Sequence, residues 1–343
     1  MKAIVCPSYG SPDILEFQDV TKPSPKDNEV LVKIHAAGVN AGDWHLMRAD
    51  PFLIRLMFGF TKPKQPILGG DFAGQVTAVG KNVSQFKVGD EVFGASSKFG
   101  AFAEYVAVSE NTIVSKPTNM TFEQVAAVPT AAVTALQGLR DHGKIKAGQK
   151  VLINGASGGV GSFAVQIAKA LGAEVTGVCS SGKMNMVRSL GADHVIDYKK
   201  EDFTKTGKQY DLILGVGGYH PLSAYKRALK PNGIYVMTGG KTKQMFETMS
   251  LGSLLSMTSS KKITNFIVKI NNQDLLFLTE LLEQGKLSPV IDKSYPLTDV
   301  PKAIAKLESG KVKGKLVIKV ASKTVEVQPG QIAEDTYRPH VSA

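Results

Sequence analysis

The chain of 343 residues predicts an α/β protein of two domains, one β-rich and one built on a doubly wound parallel sheet. Three observations carry this. The stretch Val151-Leu-Ile-Asn-Gly-Ala-Ser-Gly-Gly-Val-Gly-Ser162 runs an apolar strand into a glycine-rich turn and on into a helical segment. From about residue 124 strand and helix patterns alternate, as in a parallel sheet with crossover helices. Before that point the apolar runs are short and broken by Gly and Pro, which is the texture of a β-rich unit.

Taken in order, residues 30–35, 74–79, 90–93 and 102–108 read as strands of the β-rich unit, assigned to residues 1–124. An Ala-rich helix is predicted over 124–139. Strands then follow at 150–154, 174–179, 194–196, 210–216 and 234–238, with helices at 160–171, 184–190 and 221–229. This is the Rossmann pattern, and it assigns residues 125–265 to a nucleotide-binding domain. After Gly240 the pattern loosens before helices at 274–284 and 300–308 and a last strand at 315–320. The last strand has the texture of the first unit, so residues 266–320 are expected to return to it. Residues 321–343 are polar and aperiodic and read as a tail.

Composition narrows the function classes. With 43% hydrophobic residues and only two cysteines, Cys6 and Cys179, the chain needs no disulfide framework and offers no zinc-ligand cluster. The chain opens on Met1-Lys-Ala-Ile-Val-Cys6 with no charged leader before a long apolar run, and no later segment has membrane-spanning length, so a cytoplasmic setting without a membrane span is expected. The formal net charge of +11 admits an alternative reading, a cofactor-binding protein whose main role is association with RNA or an anionic membrane surface. The lysines are scattered and no nucleic-acid module accompanies them, so no nucleic-acid partner is expected and a solvated face accounts for the charge.

The glycine loop is built to hold a pyrophosphate: side chains there would keep the backbone from phosphate oxygens, and the positive end of the following helix favours the anion. The next strand decides which nicotinamide cofactor fits, because its end meets the adenosine ribose. NAD sites place an acid there. Here the strand ends Cys179-Ser180-Ser181-Gly182-Lys183, two hydroxyls and a cation in place of a carboxylate. That set suits a 2′-phosphate and predicts NADPH. The alternative for these residues is a helix cap with Lys183 in solvent.

Several segments in this order resemble the zinc-independent quinone oxidoreductase branch of the medium-chain dehydrogenase/reductase superfamily. They are Gly38-Val-Asn-Ala-Gly-Asp43, Leu68-Gly-Gly-Asp-Phe-Ala-Gly-Gln-Val-Thr-Ala-Val-Gly80, Phe86-Lys-Val-Gly-Asp-Glu-Val-Phe-Gly94, Val128-Pro-Thr-Ala-Ala-Val-Thr-Ala135, the 155–161 loop, Leu190-Gly-Ala-Asp-His-Val-Ile-Asp-Tyr198 and Gly310-Lys-Val-Lys-Gly-Lys315. The likeness runs from Met1 to about Val320. It implies a GroES-like catalytic domain formed by both ends of the chain, a Rossmann domain between them, and a cleft at their junction. It further implies that Ser157, Gly158, Gly159 and Val160 hold the pyrophosphate, that Ser180, Lys183 and Tyr198 surround the 2′-phosphate, and that Val216 and Gly217 underlie the nicotinamide ribose. Thr130 matches a position near the nicotinamide, with a helix cap as its other reading. Lys315 matches a cleft-facing position, or is one more solvated lysine. The branch commonly forms homodimers.

Zinc-dependent members carry a Cys early in the chain, a Gly-His-Glu segment and a four-cysteine lobe. This chain has Asn40, then Gly69-Gly70-Asp71, and no cysteine cluster, so a tetrahedral zinc site is not expected. Metal-free hydride transfer to the C=C bond of an α,β-unsaturated carbonyl, or to a quinone, asks for less polarisation than reduction of a ketone. The dipoles for it are expected from Asn40 and His45; His45 stands where relatives often have a lysine, and packing beside Trp44 is its other reading. Asp43 and Asp71 read as structural. Phe52 and Phe99 are expected to line an apolar substrate pocket.

Overall fold

In the computed structural model, residues 1–320 are described, except Thr258; for residues 253–255 only the backbone is described, and the polar tail inferred for 321–343 lies outside the described residues. Among the described residues, fifteen strands and ten α-helices follow one another. The first part contains β1 (Lys2–Val5), β2 (Glu16–Asp19), β3 (Glu29–Val39), α1 (Ala41–Arg48), α2 (Ile54–Phe58), β4 (Asp71–Val79), β5 (Glu91–Ala95), β6 (Tyr105–Ser109) and β7 (Ile113–Ser115). The middle contains α3 (Phe122–Ala126), α4 (Pro129–Gln137), β8 (Lys150–Asn154), α5 (Gly159–Ala170), β9 (Glu174–Cys179), α6 (Met184–Ser189) and β10 (His194–Asp197), then β11 (Tyr210–Gly215), α7 (Leu222–Ala228), β12 (Leu229–Met237), α8 (Thr242–Met257) and β13 (Lys262–Asn265). The last part contains α9 (Asn272–Glu283), β14 (Ile291–Pro296), α10 (Val300–Glu308) and β15 (Lys315–Lys319).

Among the described residues the strands form three sheets. One has six strands in the order β10-β9-β8-β11-β12-β13, and its pairings are parallel throughout. Apolar residues on β8 serve both faces: Val151 and Ile153 point into one core with α4 and α5, and Leu152 into another with Tyr225 and Tyr235. A strand sandwiched this way is apolar along its whole length, which is why its sequence is legible. The order reverses beside β8, so a crevice opens at the carboxyl ends of β8 and β11.

A second, mixed sheet of seven strands runs β14-β15-β3-β4-β5-β7, with β6 on β3. It takes strands from both ends of the chain; β15 pairs antiparallel with β3, Leu316 opposite Val39. The third sheet is the β1–β2 hairpin.

Three local expectations are corrected. The single helix at 124–139 is two: α3 is capped by Thr121, whose hydroxyl accepts from the Gln124 N–H, and α4 starts afresh at Pro129, which has no N–H to continue a ladder. The loosened stretch after Gly240 contains α8 and β13; α8 was hidden because Phe246, Met249 and Leu251 remain exposed and make no single apolar stripe. The strands β1, β2, β7 and β14 and helices α1 and α2 were also not read, being short or carrying mixed polarity.

Candidate functional site

The 155–161 turn leaves β8 at Asn154 and delivers Gly158 as the N-cap of α5. Gly155 has φ +94°, and a Cβ there would stand 2.9 Å from the Gly217 N. This close approach joins the two loops of the crevice: the Gly217 N–H donates to the Asn154 carbonyl at 3.1 Å. Gly161 is tighter still, with an added Cβ 2.1 Å from the Gly155 carbonyl oxygen. Gly158 and Gly217 differ. A Cβ on either would meet nothing nearer than 3.7 Å, so their outer faces are open to a ligand. No side chain caps the α5 N-terminus, leaving its first N–H groups for an anion. Backbone donors and open glycines together fit the pyrophosphate of a dinucleotide.

Beside this loop lies the segment after β9. Ser180 is half-buried, Ser181 exposed and Lys183 half-buried. The Lys183 Nζ donates to the Val312 carbonyl at 2.6 Å, which engages one of its three donors. Burial pushes the Lys183 ammonium below its ordinary value, with Asp292 pulling the other way. Tyr198, at 58% exposed, follows β10, and its N–H donates to the Cys179 carbonyl at 3.1 Å. The Ser181 hydroxyl donates to the Asp197 carboxylate at the end of β10, a partner not anticipated from the sequence.

The other wall of the crevice comes from the mixed sheet. The Gly314 N–H donates to the Ser157 carbonyl at 2.9 Å, and Lys315 begins β15 next to Gly159, whose added Cβ would be 3.1 Å from the lysine Cδ. Lys315 is only 3% exposed, which removes the solvated reading. Its Nζ donates to the Val39 carbonyl at 2.9 Å and to the Asn40 Oδ1, and lies 3.8 Å from the Asp71 carboxylate.

These contacts build one buried network. Asp71 accepts from Asn40 Nδ2 at 2.8 Å, from the Thr130 N–H at 3.1 Å and from the Thr130 hydroxyl. Thr130 is therefore committed to Asp71 and is not the helix cap. Asp43 accepts from the Asn40 N–H at 2.7 Å and the Gly69 N–H at 3.2 Å. Burial raises the Asp43 pKa to about 7, with Asp71 adding to the rise and the two N–H groups and Lys315 opposing it. Burial likewise raises Asp71 and lowers Lys315, and each charge holds the other part-way back. Because folded Asp43 keeps its proton to higher pH than an unfolded carboxyl, its contribution to stability declines as pH rises from about 4 to about 7.

The network fixes the Asn40 amide: Oδ1 accepts from Lys315, one N–H goes to Asp71, and the second N–H is left to donate. His45 is less suited to that task than its sequence position implied. Its Nδ1 lies 2.6 Å from the Asp50 carbonyl, which only accepts, so Nδ1 carries the hydrogen. In the neutral ring Nε2 then offers a lone pair and no donor. Trp44 stacks on the ring at 3.6 Å between centroids, so the packing role is filled. Phe99, with φ +61°, meets the Phe58 ring at 5.9 Å, and Phe52 meets Phe60 at 6.2 Å. Phe52 itself is 59% exposed. Val216 and Val160 are half-buried at the crevice floor.

Among the described residues no three His, Cys, Asp or Glu converge where a metal could be held, and both cysteines are buried and free. No described helix is long and apolar enough to cross a membrane.

Comparison with known proteins agrees with this geometry. Residues 26–118 match the alcohol dehydrogenase GroES-like domain and residues 190–318 the zinc-binding dehydrogenase family; the donor set here, Asn40 with Gly69-Gly70-Asp71, does not fit the metal in that second name. The chain is 36% identical to the mitochondrial NAD(P)H oxidoreductase RTN4IP1 of Bos taurus, over 93% of this chain and 89% of that protein. It is 35% identical to the 2-methylene-furan-3-one reductase of Solanum lycopersicum, over 93% and 79%. Among solved structures, the quinone oxidoreductase from Coxiella burnetii superposes with a TM-score of 0.84 at 31% identity, covering 94% of this chain and 99% of that one.

Proposed function

The chain belongs to the quinone oxidoreductase branch of the medium-chain dehydrogenase/reductase superfamily, and from that premise we propose that it is a metal-independent NADPH-dependent reductase of α,β-unsaturated carbonyls or quinones. It is an oxidoreductase with a nicotinamide cofactor and a small-molecule substrate; the phosphorylated cofactor and the C=C bond are the proposed refinement. NADPH, when bound, supplies the hydride. The chain's residues hold and orient. The α5 N-terminus and the open face of Gly158 receive the pyrophosphate, the open face of Gly217 underlies the nicotinamide ribose, and Ser180, Lys183 and Tyr198 receive the 2′-phosphate.

One observation carries the choice of reaction. Where a carbonyl polariser is needed, the crevice presents the Asn40 amide, clamped by Lys315 and Asp71 with one N–H unspent. A neutral donor of this kind suits the diffuse charge of a developing enolate better than the concentrated charge of an alkoxide. Solvent delivers the proton to the α-carbon, since the Nδ1–H of His45 is spent on the Asp50 carbonyl.

The cofactor part is tested by steady-state kinetics with NADPH and NADH on an enone. Lys183→Ala removes a charge-assisted contact worth about 1.5–3 kcal/mol, so kcat/KM for NADPH is expected to fall about 10- to 100-fold, with NADH changed by less than about threefold. Equal losses for both cofactors would remove Lys183 from phosphate recognition.

A further inference from the structure

The phosphate-compatible segment contains a residue pair that works against it. Register places Asp197 opposite Cys179 on adjacent parallel strands, at the level where β9 gives way to Ser180 and Ser181. Asp197 is buried, and its two oxygens have separate partners: Oδ2 accepts the Ser181 hydroxyl proton, and Oδ1 accepts the Lys199 N–H at 3.1 Å. The Ser181 bond is the main reason its carboxyl stays below the ordinary carboxylate range, helped by Lys199 and Lys200. At neutral pH the group is therefore an acceptor only.

A serine hydroxyl has one proton. With that proton committed to Asp197, exposed Ser181 turns only lone pairs toward the cofactor. Lone pairs accept from a ribose 2′-hydroxyl and repel a 2′-phosphate. We infer that Asp197 is a specificity-determining residue, which by taking the Ser181 proton makes Ser181 a receptor for the ribose of NADH and tempers the preference for NADPH. The inference rests on the proposed cofactor reading for the place of the ribose, but it predicts a different quantity.

Asp197→Asn reverses the bond. The asparagine Oδ1 still accepts from Lys199, its Nδ2–H donates to Ser181, and the serine proton is released to a phosphate. One hydrogen bond of ordinary strength, about 0.5–1.5 kcal/mol, is then transferred from one cofactor to the other. The test is the ratio of kcat/KM for NADPH to that for NADH, with dissociation constants for NADP⁺ and NAD⁺ by titration of the full chain. Asp197→Asn is expected to raise the ratio about three- to tenfold, and the rise should vanish in the Ser181→Ala background. An unchanged or lowered ratio, or a rise that persists without Ser181, overturns the inference. Whether the unmodified protein favours NADPH at all is read from its own absolute ratio. A protein that favours NADH while Asp197→Asn still raises the ratio would refute the NADPH reading and leave this inference standing.

Discussion

Replacing Lys315 by methionine is expected to destabilise the folded chain by about 3–5 kcal/mol, the cost of breaking a buried ion pair from one side. Methionine fills much of the same volume, so little of the loss comes from a cavity. What remains is Asp71, fully buried, with Asp43 nearby and no cation facing either. The sign of the pH dependence follows. Without Lys315 the folded-state pKa of Asp71 rises further above its unfolded value, so the folded state binds a proton that the unfolded state has lost. The penalty should therefore be larger at pH 8 than at pH 5.5. Urea denaturation at both pH values measures it. Adding Asp71→Asn should restore much of the stability, because the orphaned charge is then gone. A loss below about 1 kcal/mol at pH 8 would mean that Lys315 and the carboxylates are not coupled.

Gly161→Ala should be nearly as severe, although alanine is favoured over glycine in a helix by about 1 kcal/mol. Its Cβ would lie 2.1 Å from the Gly155 carbonyl oxygen, and that neighbour is backbone, not the end of a flexible chain. The loop must move off the helix, and with it the backbone donors proposed to face a pyrophosphate. We expect affinity for NADP⁺ to fall more than about 30-fold and stability by about 2–4 kcal/mol. Gly42→Ala in α1 is the matched control, since a Cβ there meets nothing within 4 Å. Binding of NADP⁺ by intrinsic fluorescence distinguishes the two; Gly161→Ala binding within twofold of the unaltered protein would contradict the account of the loop.

The parts of this architecture that were legible share a physical cause. Residues 151–162 declare themselves because a strand buried on both faces must be apolar throughout, and because the turn after it needs glycine where a Cβ would strike backbone, as at Gly155 and Gly161. The segment Ser180–Lys183 is open to the same kind of local reading, since the lack of an acid at the end of β9 can be seen without knowing the fold. What escaped depended on pairing across the chain. Lys315 and Asn40 are 275 positions apart, and nothing near either announces the other. The one available signal was a lysine opening the apolar run Leu316-Val-Ile318, where burial without a partner would be costly. His45 failed for a subtler reason: its role as a donor is decided by the carbonyl of Asp50, a contact that depends on how α1 ends. Asp197 was hidden because its effect lies in the direction of one proton.

The central claim, hydride transfer to a C=C bond without metal assistance, is tested most directly by following the label. The protein would be given an enone and NADPH deuterated at the transferring position of the nicotinamide, and the product examined by NMR. The account predicts a saturated ketone with deuterium at the β-carbon and only solvent hydrogen added at the α-carbon. An allylic alcohol with deuterium on the carbinol carbon would contradict it.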